Sequence, residues 1–184
     1  MSRLVPAMLI AALAMNLQAA DPAPVAKVKV GDQAPAYTIK DATGKVVNLA
    51  ELTAKGPVLV RLTCGCSGCD KELAYFQQIH QAYKSEGLTS LFVFKEPDAK
   101  MAKYATDKKL DMLYAVDSKG DSWTTFQTKT MPTNILIAKG GKIAAIAAGC
   151  DPSGLLANTV SDKAAKVVGA ESVDVKAKVQ NEKK

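Results

Sequence analysis

Apolar positions along the chain fall into short dense runs, punctuated by glycine, proline and charged turns. Residues 57–63 (PVLVRLT) and 88–94 are nearly continuous apolar runs with β-branched side chains, the pattern of strands covered on both faces. Between them the spacing predicts a helix: Cys69, Leu73, Phe76, Ile79 or His80, and Tyr83 share one stripe, and Gly87 ends it. Pro97 can open the next helix at its first position, running to about Lys109. A short strand is expected at 113–116, then a turn at Asp117-Ser118-Lys119-Gly120, with Trp123 and Phe126 on a following helix that packs on the core. Two antiparallel hairpins are predicted. One pairs 37–40 with 45–48 around Asp41-Ala42-Thr43-Gly44; the other pairs 133–138 with 142–148 around Gly140-Gly141. A last helix starts near Pro152, with Asp151 as its N-cap, and runs to Val168. From 169 to 184 the chain is charged and weakly periodic, and reads as a flexible tail.

Residues 1–20 stand apart from this pattern. Arg3 is their only charge, an apolar run follows from Leu4 to Leu17, and the small residues Ala19 and Ala20 precede Asp21-Pro22-Ala23-Pro24. That is the layout of a secretory signal peptide, and the run is shorter than the roughly 20 apolar residues of a membrane span. The expected organisation is a signal at 1–20, a linker at 21–30 and one domain at 31–168, in a periplasmic or secreted protein with no membrane attachment after cleavage. The composition is globular, with 48 % hydrophobic and 23 % charged residues. The net charge of +6 is spread along the chain with few aromatics among the basic residues, which argues against a nucleic-acid surface.

Export changes how the four cysteines are read, because disulfides persist in oxidising compartments. Cys64, Cys66 and Cys69 fall within six residues, too close for a stapling framework, since a bridge closing so small a loop gains little chain entropy. Clustering points to redox chemistry or to metal binding.

The element order, with a central strand feeding a helix through cysteines and a terminal hairpin, resembles a thioredoxin-like α/β fold: a mixed sheet flanked by helices, here with an N-terminal β-hairpin extension. The stretch from Val30 to Val160 resembles the exported thioredoxin-like, or redoxin, family of thiol–disulfide oxidoreductases, related to alkyl hydroperoxide reductases and thiol-specific antioxidants. Val30-Gly31-Asp32-Gln33-Ala34-Pro35 is similar to the family's Gly-x-x-Ala-Pro opening, and Cys66-Ser67-Gly68-Cys69-Asp70-Lys71-Glu72-Leu73 to its Cys-x-x-Cys followed by Lys-Glu. Met131-Pro132-Thr133 is similar to its cis-proline loop. The resemblance implies a redox pair Cys66–Cys69, a substrate-binding loop at Met131 and Pro132, protein disulfide or dithiol substrates, a redox partner, and no cofactor. Cys66 stands where a buried strand hands over to a helix, and the helix N-terminus lowers a thiol's pKa there. Cys69 is one turn on, placed to attack a Cys66 mixed disulfide.

Cys64 departs from the family pattern, and Cys150, after Gly149 at the end of the last strand, is expected on the same side as the cluster and within reach of Cys64. These two read as auxiliary thiols, an extra disulfide, or, for Cys150, a buried free cysteine. Alternatively, Cys64, Cys66, Cys69 and Cys150 together could hold Cu(I) or Zn(II) in a thioredoxin-fold chaperone. A peroxiredoxin-like peroxidase using Cys66 is a second alternative: Thr63-Cys64-Gly65-Cys66 has the Thr-x-x-Cys spacing, but Leu59 replaces the upstream proline and the only arginines are Arg3 and Arg61. Arg61 could be buried beside a thiolate or lean out to solvent. A cysteine hydrolase would need His80 as base, yet 14 helical residues set it about 21 Å from Cys66, so it reads as a half-exposed helix residue.

Overall fold

A computed structural model describes residues 28–182; the expected signal at 1–20 and most of the linker at 21–30 lie outside the described residues. Five strands form the central sheet: β3 (Val58–Thr63), β4 (Thr89–Phe94), β5 (Leu113–Val116), β6 (Thr133–Ile137) and β7 (Ile143–Ala148), in the order β5-β4-β3-β6-β7. β3, β4 and β5 run parallel, whereas β6 and β7 are antiparallel to their neighbours. A separate two-stranded hairpin, β1 (Thr38–Lys40) and β2 (Val46–Asn48), matches the N-terminal extension expected from Asp41-Ala42-Thr43-Gly44.

β3 is buried along its whole length, and its period-two alternation sorts its side chains between two cores. Val58, Val60 and Leu62 face one layer with Val93, Ile135, Trp123 and Phe126. Leu59 faces the other with Phe92, Leu136 and the apolar stripe of α2 (Ser67–Tyr83), which includes Leu73, Phe76 and Ile79. Arg61 follows Leu59 by two residues and so points into this second layer.

The remaining helices are α1 (Leu49–Lys55), α3 (Asp98–Asp107), α4 (Asp121–Thr125), α5 (Leu155–Val168) and α6 (Val175–Glu182). Sequence reading does not anticipate α1. It springs directly from β2, with Asn48 capping it through Ala50 N at 2.9 Å, and it buries only Leu49 and Thr53, too little for a visible stripe. Pro97 caps α3 rather than occupying its first turn. α5 starts at Leu155, three residues beyond the expected Pro152. Its cap is Gly154 at φ 81°, where a Cβ would meet the Tyr75 ring at 2.7 Å, and Asp151 instead accepts from Leu156 N at 2.7 Å.

Two further expectations give way. The segment read as a flexible tail carries α6, which buries Val175 and Val179 in the α2–α5 core. Ser161 Oγ donates to Val173 O at 2.8 Å, and Val173 N donates to Tyr83 Oη at 3.0 Å, so the link to α6 is anchored on both helices. His80 is buried, not half-exposed. Burial holds its pKa below the ordinary value, Asp111 opposing, and Nδ1 has no hydrogen-bond partner among the described residues.

Candidate active site

β3 ends at Thr63 and delivers Cys64 inside the protein, 7 % exposed. Gly65 then turns beside the Tyr104 ring and the Met101 sulfur, and Cys66 emerges to solvent as the N-cap of α2. Cys66 O accepts the first helical bond, from Asp70 N at 3.0 Å. The N–H groups of the first turn therefore have no carbonyl of their own helix to bond, and they and the helix dipole favour negative charge at this end. Ser67 and Gly68 are small and exposed. Cys69 closes the first turn and is 5 % exposed.

Cys66 is disulfide-bonded to Cys64, with Cα atoms 5.3 Å apart, whereas the family resemblance pairs it with Cys69. Cys69 is a free thiol, and its Sγ lies 3.2 Å from Cys64 Sγ. The three sulfurs sit within 4.8 Å of one another, so the additional cysteine gives Cys66 two partners within short reach. Once reduced, the same trio could coordinate a soft metal, but the fourth residue of the metal alternative, Cys150, is not in it.

Cys150 leaves β7 through Gly149, whose φ of 103° suits only glycine. It is exposed rather than a buried free cysteine, and it reaches the first turn of α2 rather than Cys64: its thiol donates to Gly68 O at 3.1 Å. Partial burial of the sulfur, then the charges of Glu72 and Cys69, push this thiol's pKa up.

Beneath the cluster lies a buried polar assembly. The Arg61 guanidinium stacks 4.0 Å over the Phe76 ring and donates to Asn134 Oδ1 at 2.7 Å and to Glu72 Oε2 at 3.0 Å. Cys69 O lies 3.5 Å from the same nitrogen that bonds Glu72. Burial lowers the Arg61 pKa and Glu72 opposes the shift; Cys69 is also within electrostatic reach. Glu72 accepts from Asp151 N at 2.8 Å through its other oxygen, joining α2 to the loop that carries Cys150. Glu72 and Asn134 escape sequence reading as site residues, although each shows as a polar residue inside an apolar pattern.

The Met131–Pro132 peptide is cis. Leu62 pairs with Thr133, so this loop leaves the sheet at the end where β3 delivers Cys64, and Pro132 O accepts from Gly149 N at 2.9 Å. On the opposite side, Asp70 accepts from Tyr104 Oη at 2.8 Å and Lys108 Nζ at 2.7 Å, latching α3 to the start of α2.

Known proteins resemble this chain in sequence and in fold. The thiol-disulfide oxidoreductase ResA of Bacillus thuringiensis subsp. konkukian is 28 % identical over 118 residues, 64 % of this chain and 68 % of that protein. ResA of Geobacillus thermodenitrificans is 28 % identical over 123 residues, 66 % and 71 % of the two chains. Among solved structures, one from Chlorobium tepidum described as a thiol:disulfide interchange protein DsbE superposes with a TM-score of 0.70 at 24 % identity, over 77 % of this chain and 99 % of that one. One from Neisseria meningitidis described as a thioredoxin gives 0.61 at 28 %, over 72 % and 89 %. These likenesses agree with the direct family match, which spans residues 30–146, from the Gly31-x-x-Ala34-Pro35 opening through the cysteines into β7: the chain belongs to the AhpC/TSA family.

Proposed function

We propose that this chain is an exported thiol–disulfide oxidoreductase that exchanges a Cys66–Cys69 dithiol or disulfide with protein substrates. The observation that carries the reading is the placement of Cys66 as the exposed N-cap of α2, with Cys69 buried one turn behind it. A thiolate is the nucleophile in disulfide exchange, and a helix N-terminus favours its formation. The Cys66 thiolate attacks one sulfur of a substrate disulfide; a Cys66–substrate bond forms as the substrate bond breaks, and one substrate thiolate leaves. The Cys69 thiolate then attacks Cys66 Sγ, releases the second substrate thiolate and leaves Cys66–Cys69 oxidised. Two electrons pass from protein to substrate, and the reverse sequence oxidises a substrate dithiol. The ResA relatives carry this activity in their name.

In the same reading, Met131 and Pro132 bind the substrate chain beside Cys66, while Cys64 and Cys150 serve as auxiliary thiols. Electrons move from sulfur to sulfur and the exchange requires no cofactor; a second protein restores the starting redox state. Residues 1–20 direct the chain to the periplasm or beyond, and among the described residues no helix is long and apolar enough to cross a membrane.

Insulin reduction tests the assignment. Cys66→Ser abolishes exchange, whereas Cys69→Ser combined with Cys64→Ser, which removes the other sulfur within reach of Cys66, accumulates a stable mixed disulfide on Cys66. Wild-type exchange in Cys66→Ser with loss in Cys64→Ser would place the nucleophile two residues earlier.

A further inference from the structure

The exchange just described leaves Cys64 without a step of its own, yet Cys64 is the sulfur that bonds Cys66 and that Cys69 approaches to 3.2 Å. Exposure divides the trio: Cys66 is open to solvent, and Cys64 and Cys69 are both buried. We propose that Cys64 relays the disulfide inward, from Cys64–Cys66 to Cys64–Cys69, and that the resulting state, with Cys66 as its exposed thiol, isomerises mispaired disulfides in exported proteins. The inference rests on Cys66 being the residue that meets substrate.

The relay is an exchange without net oxidation. The Cys69 thiolate attacks Cys64 Sγ, the Cys64–Cys69 bond forms, the Cys64–Cys66 bond breaks, and the electron pair leaves on Cys66. Two features favour that direction. The departing thiolate is the one at the helix N-terminus, where charge is stabilised by the first-turn N–H groups and by solvent. The new disulfide lies between two buried sulfurs, where outside thiols have little access, and access is one determinant of exchange rate.

The state so formed differs from an ordinary two-cysteine site. Cys66 can attack a substrate disulfide, but its neighbours are already bonded to each other and cannot resolve the adduct. Release falls to a thiolate of the substrate itself, which attacks another substrate sulfur and finally displaces Cys66. The substrate's pairing changes while its count of disulfides, and that of this chain, does not.

Differential labelling of the full chain tests the relay. Protein oxidised with one equivalent of diamide is blocked with iodoacetamide, reduced, and labelled with N-ethylmaleimide. Trypsin cuts after Arg61 and Lys71, so peptide 62–71 holds all three cysteines and fragmentation locates each label. The expected pattern is acetamide on Cys66 and maleimide on Cys64 and Cys69. That pattern should be independent of protein concentration and persist in Cys150→Ser, while the peptide of Cys64→Ser carries maleimide alone. Acetamide confined to Cys69, or a Cys66 share that falls on dilution, would overturn the relay. Scrambled ribonuclease incubated with the one-disulfide protein, without added thiol, should regain activity, and Cys66→Ser should not support this; no recovery with wild type would overturn the isomerase state. Insulin reduction by fully reduced Cys64→Ser protein reports on Cys66–Cys69 exchange separately, so a failure there is distinguishable from a failure of the relay.

Discussion

Both oxygens of the Glu72 carboxylate are engaged in the interior, one by Arg61 and the other by Asp151 N. A buried ion pair often contributes little beyond an apolar pair of the same shape, but removing one partner strands the other charge, at about 3–5 kcal/mol. Glu72→Leu should therefore lower the unfolding free energy by about 3 kcal/mol or more, read from urea denaturation, and the double change Arg61→Met with Glu72→Leu should recover much of the loss. A single change that costs under about 1 kcal/mol would show that the pair does not hold the helix in place. The sequence displays the ingredients openly. Arg61 interrupts an apolar strand, and Glu72 sits three residues after Cys69 and one before Leu73, on a stripe that should be apolar. What it does not display is that the two meet, because their distance depends on which face of β3 turns toward α2. The same limit applies to the cysteines. The family resemblance pairs Cys66 with Cys69, whereas the turn at Gly65 brings Cys64 equally into range.

Among the elements, those with a strong period are the ones legible beforehand: β3, β4, β5 and both hairpins lie within a residue or two of their expected positions, and α2 carries the expected stripe but ends at Tyr83, short of Gly87. α6 has only Val175 and Val179 to bury, one turn apart among lysines, and its apolar character comes from the groove it meets rather than from its own pattern. Its stability is correspondingly tertiary. Val175→Ala should cost on the order of 2 kcal/mol, from lost burial and the void left behind. Gln180→Ala, on the exposed face of the same helix, should change stability by less than about 0.5 kcal/mol. Equal, negligible effects would restore the reading of a free tail. Because α6 packs on α2, the loss at Val175 should also raise hydrogen exchange along the helix that begins at Cys66.

For the whole molecule, element order was enough to reach the fold, since parallel strands joined through helices, followed by a terminal hairpin, leave few sheet orders open. The route to the compartment is a separate matter, carried by residues 1–20. Native protein should begin near Asp21, shown by N-terminal sequencing or intact mass, and an intact Met1 on membrane-bound material would overturn export. The sheet order has one more consequence, drawn from the latch of Tyr104 and Lys108 on Asp70. α3 follows β4, so it stands along one flank of Gly65-Cys66, and Tyr104 and Met101 wall off that flank. The opposite flank belongs to β6 and β7 and carries Met131 and Cys150. With the substrate site proposed at Met131 and Pro132, a visiting polypeptide would approach Cys66 from the β6 side, and a disulfide presented on a protruding, extended segment would suit that approach better than one recessed between two domains.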